Sequence, residues 1–522
     1  MPKFVDKDRT LFEEFKELYS EAQSEEGTGV ASLDVLLAIL EPSFSRIVEN
    51  LSMPHWFNEE VLVVVGGEEV KNKFQQILDE LTSLPFVRSH PRGYAYHDAV
   101  RKSLFQKLAR KDTSRIRELS QRLVDLLKRQ DKSDDEEITW ERVYLTLGYD
   151  ETAGLKALDT LFMENRRNRR FTVCDNLVNM ASEQRALLSP EAVTRIDYYR
   201  GLLALDLQDW EDAETIFKRL VTVKHSSPLA GRIQLHLGLT LEAQGNFQRA
   251  ERVYESALNR TDGHGEDPDL MAKLYQRLAQ TYLTLGDLKN AEAHAKQSLA
   301  INQETGDRFG ESLNLESLGR IYEQFKMYQR AQEMYEKSLA LLDEVGREFD
   351  KSRIYCDLAT LHESHSRWED AEGYYQKAIQ IKVRAGDNYG LSFIYSNLGN
   401  LYLKKGEREI ALNYFRTALS AFQKFKDRFN SARILCNIAL AFEHHNDITS
   451  AVDHMRRAIQ QLPDGHRLEA SYQRVLSRLE KNLGKGKASS WKKIGIVIGI
   501  TVAVLILLFL IIIVFIAFFE EF

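Results

Sequence analysis

Residues 316–339 read ESLGRIYEQFKMYQRAQEMYEKSL, and stretches of the same design stand on both sides. QLHLGLTLEAQGNFQRAERVYESAL (234–258), QRLAQTYLTLGDLKNAEAHAKQSL (276–299), CDLATLHESHSRWEDAEGYYQKAI (356–379), SNLGNLYLKKGEREIALNYFRTAL (396–419) and CNIALAFEHHNDITSAVDHMRRAI (436–459) align with it. The alignment puts Ala250, Ala291, Ala331, Ala371, Ala411 and Ala451 in register, at a spacing of 41 and then 40. Each stretch opens on a large apolar residue and a small one: Leu237-Gly238, Leu278-Ala279, Leu318-Gly319, Leu358-Ala359, Leu398-Gly399 and Ile438-Ala439. A small residue on a helix lets a second helix approach closely. Twelve residues on, the second helix carries its own alanine, and Tyr254, Ala295, Tyr335, Tyr375, Phe415 and Met455 follow to fill the space between units. One helical hairpin per period, repeated six times, is a solenoid, and the fold class is mainly α.

These repeats resemble the tetratricopeptide repeat in its longer form of about 40 residues, with a lengthened loop at Gly306-Asp307 and Gly386-Asp387. Six repeats occupy 226–463. Degenerate hairpins of the same kind are expected over 131–225, where Trp210, Ala213 and Phe217 with Gly201, and then Phe171, Cys174 and Val178, echo the pattern. A capping helix is expected over 464–483, from Leu468, Tyr472, Val475, Leu476 and Leu479 on one face.

Ahead of the repeats, an acidic helical leader (1–54) gives way to a different domain (55–130). HWFNEEVLVVV and EEVKNKFQQILDELTS read as helices, PFVRS and YAYHD as strands about an HPRG turn, and two further helices follow. Trp56-Phe57, Leu84 to Val87, Gly93 to Asp98 and Val100-Arg101 resemble the winged helix of STAND-class signalling ATPases, in which such repeats commonly follow. The phosphate-cradling GxxxxGK[ST] loop of that class is absent from this sequence, so ATP binding is not implied.

At the other end, a basic linker (484–493) leads to 26 residues without a charge, 494–519. This length and apolarity read as a single C-terminal transmembrane helix, with Lys481, Lys485, Lys487, Lys492 and Lys493 keeping the preceding bulk in the cytosol. Gly495 and Gly499 offer a contact for self-association of such helices into a homo-oligomer. The formal net charge of -7 exerts no general pull on nucleic acid, and three scattered cysteines without a CxxC argue against a disulfide framework or a zinc site.

The default recognition surface of a helical solenoid is the wall formed by its first helices. Six residues before each small site stand Arg232, Lys273, Leu313, Arg353, Phe393 and Arg433. Four residues after it stand Glu242, Leu283, Glu323, Glu363, Leu403 and Glu443. The wall is therefore expected to have a basic and an acidic rim, with Asn397, Asn400 and Asn437 placed to hydrogen-bond an extended peptide. In the winged helix, Arg88, Arg92, Arg101 and Lys102 are the candidate contacts, for docking on the repeats or for nucleic acid. Asn165 to Arg170, NRRNRR, is the densest basic run before the linker. Of the close histidine pairs, His362 with His365 and His444 with His445, neither has a third ligand at metal spacing, and no HExxH or nucleophile elbow is present. The expectation is no enzyme, no cofactor and no metal. It is a membrane-anchored, cytosol-facing adaptor that binds a protein or peptide partner in the groove. Alternatives are a membrane-tethered nucleic-acid-binding regulator, or the sensor subunit of a signalling or defence ATPase acting in trans.

Overall fold

A computed structural model of the chain describes residues 32–130, 135–222, 227–261, 267–462 and 468–483. The chain forms two compact units, meeting in sequence at Leu285 and Gly286.

The first unit begins with α1 (Ser32–Ile39), α2 (Pro42–Asn50), α3 (Glu59–Asn72) and α4 (Phe74–Thr82). A two-stranded antiparallel hairpin follows, β1 (Val87–His90) and β2 (Gly93–Tyr96), and then α5 (Asp98–Lys111) and α6 (Thr113–Gln130). Where the sequence suggested helix from His55, the chain bends through Trp56 and is extended only at Phe57 and Asn58. Phe57 pairs with Tyr94 beyond the hairpin, and α3 starts only after Asn58, whose side chain accepts from Val61 N. Gly93 makes that pairing feasible: its φ is +130°, and a Cβ there would lie 2.5 Å from Phe57 O. Leu36, Phe44, Ile47 and Val48 share one core with Val61, Leu62, Phe86 and Tyr96, so α1 and α2 pack with the hairpin module.

Helices then succeed one another to the end of the unit: α7 (Glu136–Tyr149), α8 (Glu151–Arg167), α9 (Phe171–Glu183), α10 (Pro190–Asp206), α11 (Trp210–Val221), α12 (Ser227–Ala243), α13 (Phe247–Thr261) and α14 (Pro268–Leu285). The second unit continues with α15 (Leu288–Thr305), α16 (Arg308–Gln324), α17 (Tyr328–Glu344), α18 (Lys351–Ser364), α19 (Trp368–Arg384), α20 (Asn388–Lys404), α21 (Arg408–Lys424), α22 (Arg428–His444) and α23 (Ile448–Gln461). Residues 469–483 are also helical, and Tyr472 and Leu479 join a core with Ala439, Ala451 and Met455.

The repeat is visible in the backbone as well as the side chains. Turns within hairpins pass through left-handed φ, as at Arg169, Gln208, Gly245, Lys326, Ser366, Gly406 and Asn446. The loops between hairpins do so at Gly306, Gly346, Gly386 and Lys426. An aspartate then caps the next helix: Asp307, Asp387 and Asp427 accept from the backbone N–H three residues on. The aromatic residue of the second helix stands over the small site of its own hairpin. A Cβ at Gly238, Gly319 or Gly399 would come within 2.1, 2.5 and 2.5 Å of the rings of Tyr254, Tyr335 and Phe415.

The single C-terminal transmembrane helix expected over 494–519 is corrected, and with it the single-pass placement built on it. Among the described residues no helix is long and apolar enough to cross a membrane. The described helices bury one stripe and leave charges on the other face, as α6 does with Leu119, Leu123 and Leu127 inside and Glu118, Arg122 and Arg129 outside. Residues 484–522, with the basic linker, the apolar segment and its Gly495 and Gly499, lie outside the described residues.

Candidate protein-interaction surface

In the second unit the first helices α16, α18, α20 and α22 carry equivalent positions 40 residues apart. Between α16 and α18 these positions hold a chain of charges. Arg320 donates to both oxygens of Asp357 at 2.9 and 3.2 Å and reaches Glu316 at 3.0 Å, and Arg353 donates to Glu316 at 2.7 Å. Burial raises the Asp357 carboxyl to about 6 in spite of Arg320. Burial also pushes the neighbouring Cys356 thiol up to about 12, which keeps it protonated and a poor nucleophile at neutral pH.

Farther along, charge gives way to amides and rings. Asn437 Nδ2 donates to Asn400 Oδ1 at 3.3 Å, and Asn397 stands at the position Asp357 holds one repeat earlier. A cavity of about 390 Å³ opens there, lined by Arg353, Asp357, Lys382, Phe393, Ile394 and Asn397, with Phe349 at its edge. Phe349 is 59% exposed, and the Tyr389 and Phe393 rings meet edge to face at 5.2 Å. Amides that can pair with an extended backbone, beside open aromatic surface, suit a peptide segment better than a compact polar metabolite.

The remaining charges picked out in the sequence have partners within the chain, the basic ones at the surface. Arg232 pairs with Asp267 at 3.0 Å and Lys273 with Asp269 at 2.6 Å, while Arg433 donates to Asn430 at 3.0 Å beside the Phe429 ring. Three of the four acidic residues lie low in the wall. Glu242 accepts from Thr281 at 2.7 Å, Glu323 from the Tyr335 hydroxyl at 3.3 Å, and Glu363 from the Tyr375 hydroxyl at 3.3 Å and Lys404 at 2.6 Å. Burial raises the carboxyls of Glu242 and Glu323. Glu443 is joined by Arg478 at 2.7 Å, from the helix that closes the array.

The candidates in the front module also have partners in their own chain. Arg88 meets Asp98 at 3.5 Å, and Arg92 meets Glu137 at 2.7 Å and Asp135 while its guanidinium stands over Trp56. Arg101 is buried and bonded to Glu183, and Lys102 reaches Glu183 at 3.2 Å. His55 completes this cluster, bonded to Glu141 at 2.7 Å and 3.5 Å from Glu183. Burial works to lower the imidazole pKa, but the carboxylates outweigh it and the net shift is upward. Burial likewise works to raise the Glu183 carboxyl, and His55 and Arg101 hold it at about 2. Together these pairs fasten the hairpin module to α7 and α9.

Of the histidine pairs, His365 packs edge-on to Tyr328 at 3.9 Å and His444 to His445 at 5.2 Å. Among the described residues no group of three or more His, Cys, Asp or Glu side chains could hold a metal ion. The sequence reading passed over Arg320, Asp357, Phe349 and Lys382. Asp357 was within reach of it, because it shares the 40-residue register of Asn397 and Asn437. Phe349 was within reach too, since Phe309, Tyr389 and Phe429 share its 40-residue register, although spacing alone does not report how exposed the ring is.

The tetratricopeptide repeat family matches residues 269–344 and 390–464 in one form and 198–269 in another, so the chain carries tetratricopeptide repeats over these stretches. Among solved structures it is similar to a Signal Transduction ATPase with Numerous Domains (STAND) protein with a tetratricopeptide repeat sensor from Pyrococcus horikoshii. The identity is 16% and the TM-score 0.46, over 91% of this chain and 72% of that one. It is similar to a Rap protein complexed with Competence and Sporulation Factor at 12% identity and TM-score 0.44, over 63% and 98%. To BtubC from P. vanneervenii the figures are 23% and 0.35, over 42% and 91%. A comparison with curated proteins gives no match.

Proposed function

We propose that this tetratricopeptide-repeat chain is a non-catalytic interaction scaffold that holds an extended segment of a protein partner along α18, α20 and α22. The observation that carries this reading is the juxtaposition of Asn397 and the Asn400–Asn437 pair with the open cavity edged by Phe349 and Phe393. The amides would pair with the partner's backbone while the cavity takes its side chains, and Arg353 and Lys382, held by Glu316 and Asp387, would bias the choice by charge. The expected basic rim then contributes chiefly through Arg353. The acidic rim serves the packing of the hairpins, through Glu323 and Glu363 on their tyrosines.

In the front module, the order of helix, short strand, two helices and hairpin supports a winged-helix reading. Its wing cations have carboxylate partners on α5, α7 and α9 or just before them, which favours docking within the chain over nucleic-acid binding.

The test is to pan a phage-displayed library of random linear peptides against the full chain and repeat it with Asn400→Ala/Asn437→Ala. Enriched peptides that bind the parent and lose about tenfold in affinity to the variant support the reading. Enrichment indifferent to both amides, or no enrichment, refutes it.

A further inference from the structure

The basic run Asn165 to Arg170 takes no part in that surface, yet it borders a cavity in the first unit. The end of α8, the turn to α9 and the end of α10 border an open cleft of about 650 Å³, lined by Met163, Arg166, Arg167, Arg169, Phe171 and Asp206. Two of the arginines in the run are already engaged. Arg166 donates to both oxygens of Asp206 at 2.5 and 3.0 Å, and Arg170 pairs with Glu136 at 2.8 Å. Arg167 and Arg169 are exposed, and among the described residues neither guanidinium has an acidic or hydrogen-bonding partner. The wing arginines, Arg232, Lys273 and Arg353, by contrast, have carboxylate partners. Three arginines against one aspartate leave the lining two positive charges in excess. The turn that carries Arg169 is fixed by the Arg170 N–H donating to Asn165 O at 2.9 Å, so little ordering of the backbone remains for a ligand to impose.

We infer that this cavity is a site for an aromatic phosphate monoester, with its dianion taken between Arg167 and Arg169 and its ring set against Met163 and Phe171. Planar guanidinium forks match phosphate oxygens and favour a dianion over a carboxylate. A phosphate alone would leave most of the volume empty, and the apolar part of the lining is a thioether and a phenyl ring, surfaces on which an aromatic group stacks. The ring and phosphate have two natural sources, a phosphotyrosine side chain on a partner protein or a nucleoside monophosphate.

Calorimetric titration of the full chain with phenyl phosphate tests the shared chemistry. Binding is expected to weaken with added salt and to fall by about tenfold or more in Arg167→Gln/Arg169→Gln, whose substituted side chains are exposed and leave the thermal melt in place. Phe171→Ala should weaken phenyl phosphate and leave inorganic phosphate unchanged. Asp206→Asn frees Arg166 and should tighten both, a gain that misfolding cannot imitate. Tighter binding of a Gly-phosphotyrosine-Gly peptide than of AMP identifies a protein side chain as the source, and the reverse order a nucleotide. The inference is overturned if phenyl phosphate does not bind, if it binds the double glutamine variant as well as the parent, or if inorganic phosphate binds as tightly as phenyl phosphate.

Discussion

Gly319 and Gly373 are both helical glycines in the second unit, and replacing each by alanine should move stability in opposite directions. At Gly373, on α19, an added Cβ meets nothing within 4 Å, so alanine brings only its better helix propensity, a gain of about 0.5–1 kcal/mol. At Gly319 the same methyl would stand 2.5, 2.7 and 2.9 Å from three atoms of the Tyr335 ring. The ring must retreat by roughly 1 Å to reach ordinary contact near 3.5 Å. It is wholly buried, and its hydroxyl is bonded to Glu323 at 3.3 Å, so retreat disturbs both packing and that bond. Overpacking of this kind costs about 1–3 kcal/mol. Set against the same propensity gain, the net effect is a loss centred on about 1 kcal/mol and reaching at most about 2.5 kcal/mol. Urea unfolding followed by circular dichroism, read as the shift of the midpoint, compares the two variants without requiring the whole array to melt as one. The reasoning fails if Gly319→Ala leaves the midpoint in place or raises it, or if Gly373→Ala lowers it as much as Gly319→Ala does.

Lys326 sits in the left-handed turn between α16 and α17, at φ 60°, where the next turn but one uses Gly406. Lys326→Gly should therefore raise the urea midpoint by the equivalent of about 1 kcal/mol, and an unchanged or lowered midpoint would contradict the strain argument. Asp357 has a folded-state pKa of about 6 against an ordinary value of 3.8. Between these values the folded chain holds a proton that the unfolded chain has released, so stability falls as pH rises through the window and levels off above it. The fall amounts to at most about 3 kcal/mol, and Asp357→Asn should flatten this part of the melting-temperature profile; an unaltered slope counts against it. Glu183 has the opposite sign. Held at about 2 against 4.5, its contribution is fully present above pH 4.5 and disappears as pH falls through 2. Glu183→Gln should lower the melting temperature of the first unit at neutral pH, with the gap to the parent closing in acid, and a gap that is constant with pH would be evidence against the charge cluster.

The hairpin repeat was legible because its physics is periodic. A large-small pair on one helix, an alanine twelve residues on and an aromatic after that report a packing that every unit must solve in the same way. Contacts made once per molecule were harder to read. His55 meets Glu141 across 86 positions and Arg101 meets Glu183 across 82, separations at which no local pattern announces a partner. At Glu323 and Glu363 the spacing has a second explanation that the sequence did not announce. Their 40-residue spacing is real, but it reflects a hydrogen bond from the tyrosine of the same hairpin, a requirement of packing that repeats as faithfully as a binding site would. Asn58 shows a third limit: an apolar run beginning at Trp56 reads as continuous helix, while the cap and the pairing of Phe57 with Tyr94 cut its first turn away.

Periodicity of charge, then, does not by itself distinguish a ligand surface from internal fastening, and partnership does this better. Arg320 lies on the wall of the second unit yet already has Asp357 and Glu316. A ligand carboxylate there would have to displace an existing partner and recover its interaction, and exchange of that kind adds selectivity more than affinity. The amides of Asn397 and Asn400 and the ring of Phe349 carry no such prior engagement with charge, and they can gain contacts without first losing an ion pair. The same reasoning separates Arg167 and Arg169 from Arg166 within a single basic run. The residues with most to gain from a partner are therefore those whose binding capacity the fold has left unspent.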